Sequence, residues 1–265
     1  MTDKRTLIAG NWKEHENVHQ ASLLLHRLNQ QIKVHRNVEV VLAPNLLALQ
    51  PLSVQIDKRK FKLAAQNAYY KDEGAFTGEV SFTMLRGLAD YAIIGHSERR
   101  IYFNENLELV REKVAAAVRN GITPILCIGE THNERANGET KRVLHDQLTT
   151  AIANLTADEV EQVVIAYEPV WAISTFGGEL AKPDAIQTMF AYIRHQLTEL
   201  YGEKTAATTR LLYGGSVDPN NVRAYLELAD CDGALVGGAS LDAGKFGRIV
   251  DIAYELQTTG EEHHG

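Results

Sequence analysis

A single closed (β/α)8 barrel of eight parallel strands, each followed by helix, is the fold predicted for this chain of 265 residues. Three observations predict it. Eight short runs of β-branched and apolar residues recur, segments of helical periodicity separate them, and no Pro/Ser-rich linker or shift of composition divides the chain. The runs are apolar on successive residues rather than alternating, the pattern of parallel strands covered on both faces. An open doubly wound sheet would carry Gly-x-Gly-x-x-Gly after its first strand, where AGNWKEH stands instead. Barrels of this length form one domain, so residues 1–265 are expected to be a single unit.

The first run, TLIAGN (6–11), leads into Val18, Ala21, Leu24, Leu25, Leu28 and Ile32, spaced as one helix face. VEVVLAP (38–44), FKLAAQN (61–67) and YAIIG (91–95) are the next three strands. Leu107, Val110, Val114 and Val118 mark a helix that Gly121 stops before ITPILCIG (122–129). After VVIAYE (163–168), Pro183-Asp184 opens a helix bearing Ile186, Phe190, Ile193 and Leu197. RLLYGG (210–215) follows, Asp218-Pro219 places proline in a first helical turn, and GALVGG (233–238) closes the series.

With 45% hydrophobic and 23% charged residues, the chain reads as globular. A net charge of -7 without a Lys/Arg cluster argues against nucleic-acid binding, so an anionic substrate would have to be held by a few local cations and backbone N–H groups. No apolar stretch is long enough for a signal peptide or a membrane span, which makes the cytoplasm the expected location. Two cysteines, Cys127 and Cys231, do not make a disulfide framework. The tail EEHHG is expected to fray.

In such barrels the active site lies where the strands end, so position filters the polar residues. The strand ends carry Asn11 and Lys13, Gln66 and Asn67, His96 and Glu98, Glu130, Glu168, then Gly214-Gly215-Ser216 and Gly237-Gly238. A base, a hydrogen-bond donor, a cation and an anion cradle together suit proton transfer beside a carbonyl on a phosphorylated substrate. Glu168, flanked by Tyr167, Pro169 and Trp171, would be partly desolvated, as suits the base. His96 opens SERR, a segment able to start a helix, whose N–H groups would disfavour the charged form of the ring. Each residue alone has an ordinary reading as a loop carboxylate, a structural histidine or a surface lysine, and Gly-Gly is a common turn. Two such pairs at consecutive strand ends favour close approach of Gly214, Gly215, Gly237 and Gly238 to a phosphate, with Ser216 adding a hydroxyl.

Taken together, GNWK (10–13), AQN (65–67), GAFTGE (74–79), IIGHSERR (93–100), LCIGE (126–130), AYEPVWAI (166–173), YGGSV (213–217) and LVGGASL (235–241) make the chain resemble the triosephosphate isomerases, in order and over nearly its whole length. The resemblance implies interconversion of glyceraldehyde 3-phosphate and dihydroxyacetone phosphate, in glycolysis and gluconeogenesis, with no metal or organic cofactor. It implies Glu168 as the proton shuttle, His96 polarising the carbonyl, Lys13 and Asn11 stabilising negative charge, and Glu98 behind Lys13. Asn11, Lys13, Ser174, Ser216, Gly215, Gly237 and Gly238 would bind the triose phosphate. It further implies a lid after Pro169 and a homodimer through the loop from Gly74 to Glu79, with Thr77 near its tip.

Two stretches depart from that family. Where its members usually read AIGTGKTA, this chain reads AISTFGGELA, about two residues longer before Pro183, with Ser174 in place of a glycine and Phe176 added. A related isomerase of a longer ketose phosphate would share the catalytic residues and differ in lid room. Glu14-His15 replaces the usual Met-Asn, and Glu14 has to be solvated or paired. That change creates HENVH (15–19), a match to the zinc-binding His-Glu-x-x-His pattern, which would require both histidines on one helix face. GKF near Gly244 lacks the spacing of a P-loop.

Overall fold

The computed structural model describes residues 4–262, with side chains through 258. The strands are β1 (Thr6–Asn11), β2 (Val38–Ala43), β3 (Phe61–Ala65), β4 (Tyr91–Ile94), β5 (Thr123–Ile128), β6 (Val164–Tyr167), β7 (Arg210–Tyr213) and β8 (Gly233–Val236). All pair in parallel, in sequence order, and β1 pairs with β8 through Leu7↔Gly233 to Gly10↔Val236, which closes the barrel. Between them run α1 (Val18–Gln31), α2 (Leu46–Ser53), α3 (Phe82–Leu85), α4 (Ser97–Tyr102), α5 (Leu107–Arg119), α6 (His132–Ala136), α7 (Thr140–Ile152), α8 (Ala157–Val160), α9 (Pro183–Thr208), α10 (Val222–Leu226) and α11 (Ala243–Glu262).

Strand residues divide between two cores because successive side chains point to opposite faces. Leu7, Ala9, Val41, Ile93, Ile125, Val164, Leu212 and Leu235 are among those that fill the barrel interior. Ile8, Val40, Leu42, Ile94, Leu126 and Ile165 turn outward against the helices, beside Leu24, Leu28, Val114 and Phe190. Both faces are therefore dry, which explains the unbroken apolar runs. The N-terminal end of the barrel is closed by charge: Glu39 accepts from the Tyr91 hydroxyl, pairs with Arg5 and lies 3.5 Å from Arg210. Burial pushes the Tyr91 phenol up to about 12, with Arg210 opposing and Glu39 reinforcing.

Helix boundaries follow their caps. Asn17 and Gln20 form a capping box at α1, with side chain to backbone distances of 2.9 and 3.0 Å, worth about 1 kcal/mol. Val18, counted above on the core face, is 39% exposed, since it occupies the first turn before the helix meets the barrel. His15 precedes that cap and only His19 is in the helix, so HENVH does not put two histidines on one helix face. Glu14 and His15 are exposed. Asp218 accepts the N–H groups of Asn220 and Asn221 at 2.7 and 3.2 Å, but the turn holding Pro219 stays outside the helix and α10 begins at Val222. Gly202, at φ 85°, breaks α9 near its end. Among the described residues no helix is long and apolar enough to cross a membrane; the tail positions 263–265 lie outside them.

Candidate active site

β1 ends with its apolar run and the other seven strands end one or two residues before theirs, so Lys13, Gln66, Asn67, His96, Glu168, Gly214 and Gly237 all follow the strands at the mouth of the barrel. Those loops surround a cavity of about 500 Å³ lined by Asn11, Lys13, His96, Glu168, Ser174, Gly214, Gly215, Ser216, Gly237 and Gly238, among others. Nine of the candidate residues are thus gathered at one mouth, with Gly214 beside them. Glu98 lines an adjoining cavity with Lys13, Glu14, His15, Tyr102 and Phe103.

Glu168 is held by strand-end hydrogen bonds. Its N–H donates to Ile128 O at 2.7 Å, and the neighbouring Gly214 N–H donates to Tyr167 O at 2.9 Å. The carboxylate is 2% exposed, with Oε1 3.3 Å from His96 Nε2 and Oε2 buried without a hydrogen-bond partner. A buried carboxylate oxygen without a hydrogen-bond partner is uncommon in a folded chain, and here it lines the cavity wall. Two glycines make this approach possible: a Cβ on Gly129 would lie 1.8 Å from Glu168 O, and one on Gly214 would lie 2.5 Å from Glu168 Cγ. Gly214 was expected to offer its N–H to phosphate; instead that N–H is committed to Tyr167, and the missing side chain makes room for Glu168.

His96 is the N-cap of α4, and its Nδ1 accepts the Glu98 N–H at 3.2 Å. A ring nitrogen that accepts holds no proton, so this hydrogen bond leaves the ring's hydrogen on Nε2, the atom facing Glu168 and the cavity. Helix-start geometry and donor direction therefore come from one hydrogen bond.

Lys13 reaches Glu98 Oε1 at 2.5 Å, its N–H donates to Asn11 Oδ1 at 3.0 Å, and its carbonyl accepts from Gln66 Nε2 at 2.8 Å. Burial works against the Glu98 anion, but the hydrogen bonds from Lys13 and Thr175 and the neighbouring charge together hold that carboxyl below its ordinary value. Asn67 turns away and accepts from Lys113 at 2.8 Å. Glu130 lies against the segment after Pro169, accepting from Trp171 Nε1 at 2.8 Å and from the Tyr167 hydroxyl at 3.1 Å. Its burial pushes the carboxyl up, opposed by those hydrogen bonds.

The segment after Pro169 is anchored at both ends. Trp171 and Ile173 are buried, Arg135 lies 3.6 Å above the Trp171 ring, and the Tyr225 hydroxyl donates to Ala181 O at 2.8 Å. Between the anchors Ser174, Thr175, Gly177, Glu179 and Leu180 are exposed. Ser174 Oγ meets Ser216 Oγ at 2.6 Å, and Ser216 N–H donates to Ala172 O, whereas the N–H groups of Ser174, Gly215, Gly237 and Gly238 make no backbone hydrogen bond among the described residues. Sequence reasoning missed Thr175, a loop residue, and Lys245, which lines the cavity from a helix rather than a strand end. Among the described residues no group of three or more His, Cys, Asp or Glu is placed to hold a metal.

A closed parallel barrel with carboxylate, imidazole and ammonium gathered at the mouth where its strands end defines an α/β-barrel protein with its candidate site in the usual place. A family model described as triosephosphate isomerase matches residues 6–253. The chain is 43% identical over 249 residues to the triosephosphate isomerase of Clostridium beijerinckii, covering 94% of this chain and 99% of that one. It is 44% identical over 246 residues to that of Clostridium perfringens, covering 92% and 98%. With Carboxydothermus hydrogenoformans the identity is 43% over 248 residues, covering 93% and 98%. The chain belongs to the triosephosphate isomerase family, and the protein is an isomerase.

Proposed function

We propose that this isomerase interconverts D-glyceraldehyde 3-phosphate and dihydroxyacetone phosphate through an enediolate. The observation that carries the reading is the facing of Glu168 Oε1 and His96 Nε2 at 3.3 Å in a cavity shared with Lys13 and the glycine loops. Glu168 removes a proton from the carbon beside the carbonyl and returns it to the neighbouring carbon, where the carbonyl had been. His96 donates from Nε2 to the oxygens as charge develops, and Lys13 with Asn11 stabilises that charge. The N–H groups of Gly215, Gly237 and Gly238 and the hydroxyls of Ser174 and Ser216 hold the phosphate. Protons move and no net oxidation occurs, so the reaction as written calls for no cofactor. The cytoplasm and glycolysis are the setting that goes with this reading.

Glu168→Gln tests it, because the amide keeps the shape and loses the base. Turnover of glyceraldehyde 3-phosphate, measured with chelator present, is expected to fall about 10²- to 10⁴-fold in kcat with little change in KM. A variant within a few-fold of wild type would remove Glu168 from the mechanism, and no turnover by the wild type would remove the substrate assignment.

A single domain spanning the chain is part of the same reading, as is assembly as a homodimer. Thr77 and its neighbours from Lys71 to Glu79 are exposed, Phe76 is 38% exposed, and the cavity of about 600 Å³ beside Lys13 is lined by exposed Tyr102 and Phe103. A loop of that shape from a second copy fills such a cavity and covers the apolar rim.

A further inference from the structure

Lys13 is unusually constrained for a lysine. Its backbone sits at φ 52°, in the left-handed region, and is held there by Asn11 Oδ1 and Gln66 Nε2. At the other end its ammonium has two partners, Glu98 Oε1 at 2.5 Å and Thr175 Oγ1 at 3.3 Å. Thr175 also donates to Glu98 Oε1 at 3.3 Å, which closes a triangle of three polar atoms. A hydroxyl has one proton and two lone pairs, so it can accept from the ammonium and donate to the carboxylate at once.

Thr175 is the member of this triangle that belongs to the exposed segment over the cavity. Its neighbour Ser174 touches Ser216 at 2.6 Å, on the side of the glycine cradle. Two consecutive residues of this segment thus make separate contacts in the site, Ser174 with Ser216 and Thr175 with the Lys13–Glu98 pair. Phe176 adds a packing contact that pins the turn, its ring 5.8 Å from that of Tyr102 at the end of α4.

We infer that Thr175 is a positioning residue, which transmits the placement of the lid to the Lys13 ammonium and sets that cation where the oxyanion forms. The inference rests on the isomerase reading above. Ser174 responds to the phosphate, Thr175 moves with it, and the Lys13–Glu98 pair is clamped in the same step.

Thr175→Val removes the hydroxyl and keeps the branched shape; Thr175→Ser keeps the hydroxyl. Kinetics with glyceraldehyde 3-phosphate are read beside two competitive inhibitors, inorganic phosphate and the hydroxamate of phosphoglycolate, a planar mimic of the enediolate. For Thr175→Val the expected result is a loss of about 10-fold in kcat and in affinity for the hydroxamate, with phosphate affinity and KM within about twofold. Thr175→Ser should recover most of both. Phe176→Ala, which removes the ring contact and keeps the hydroxyl, should leave the ratio of hydroxamate to phosphate affinity unchanged. Equal kcat in the valine variant and wild type would overturn the inference while leaving the isomerase reading standing. So would a parallel loss of phosphate and hydroxamate affinity, which is what a lid that merely folds less well produces. A wild type that turns over no triose phosphate would overturn both.

Discussion

Lys245, in the first turn of α11, lines the same cavity as the glycines after β7 and β8, in a chain whose formal charge is -7. The site's other lysine, Lys13, already faces Glu98, and Asp218 adds a negative charge to the lining. An exposed cation at the mouth therefore sets much of the potential that an incoming phosphate meets. Lys245→Ala should lower kcat/KM about 3- to 10-fold at low ionic strength and have little effect near 1 M salt, where the screening length is about 3 Å. Lys245→Arg should retain the rate, and a loss independent of salt would show that the lysine does not steer. This residue was visible in the sequence only as part of GKF, a failed P-loop match, because nothing in its spacing says that the first turn of the last helix curls back over the strand ends. Glu168, His96 and Lys13 were legible for the opposite reason: each follows an apolar run that could only be a barrel strand.

At the level of elements, the ends of β5, β6 and β7 act as one unit. Glu168 N–H binds Ile128 O, Val170 N–H binds Glu130 O, and Gly214 N–H binds Tyr167 O, so Glu168 is located by three neighbouring strand ends rather than by its own loop. Gly214→Ala should leave these backbone bonds in place and push Glu168 aside, since the new Cβ would fall 2.5 Å from Glu168 Cγ. Misplacing a catalytic group by an ångström costs on the order of 10²-fold, so kcat is expected to drop by about that factor while the thermal midpoint moves little. Unchanged kcat would mean that the base relaxes freely. Such crowding was not readable from YGGSV, where two glycines suggest a turn or an anion cradle equally well; which side of a strand end a missing Cβ faces depends on the neighbouring strand's register. Pro219 shows the same limit. Asp218-Pro219 carries a proper start signal and does make a capped turn, yet the regular helix waits until Val222.

For the whole molecule, the eight runs and their order were sufficient for the architecture because a parallel barrel buries both strand faces and leaves few other ways to cover them. What a single chain's pattern does not express is how copies meet. Sedimentation velocity of the wild type at micromolar concentration is expected to give twice the 29.4 kDa chain mass. Thr77→Asp, which places a charge at the tip of the exposed loop, is expected to shift it to the single-chain value. A wild type already at that value would remove the dimer.

The pairing of β1 with β8 leaves the ring without a first or last strand. An open sheet exposes, at each margin, backbone groups that can template the strand of another molecule whatever its side chains. Here every strand is occupied on both sides, so strand-by-strand annexation into a larger sheet has nowhere to begin. Any pairing of copies has to run through side chains at loops and helix faces, where a single substitution can block it without disturbing the barrel.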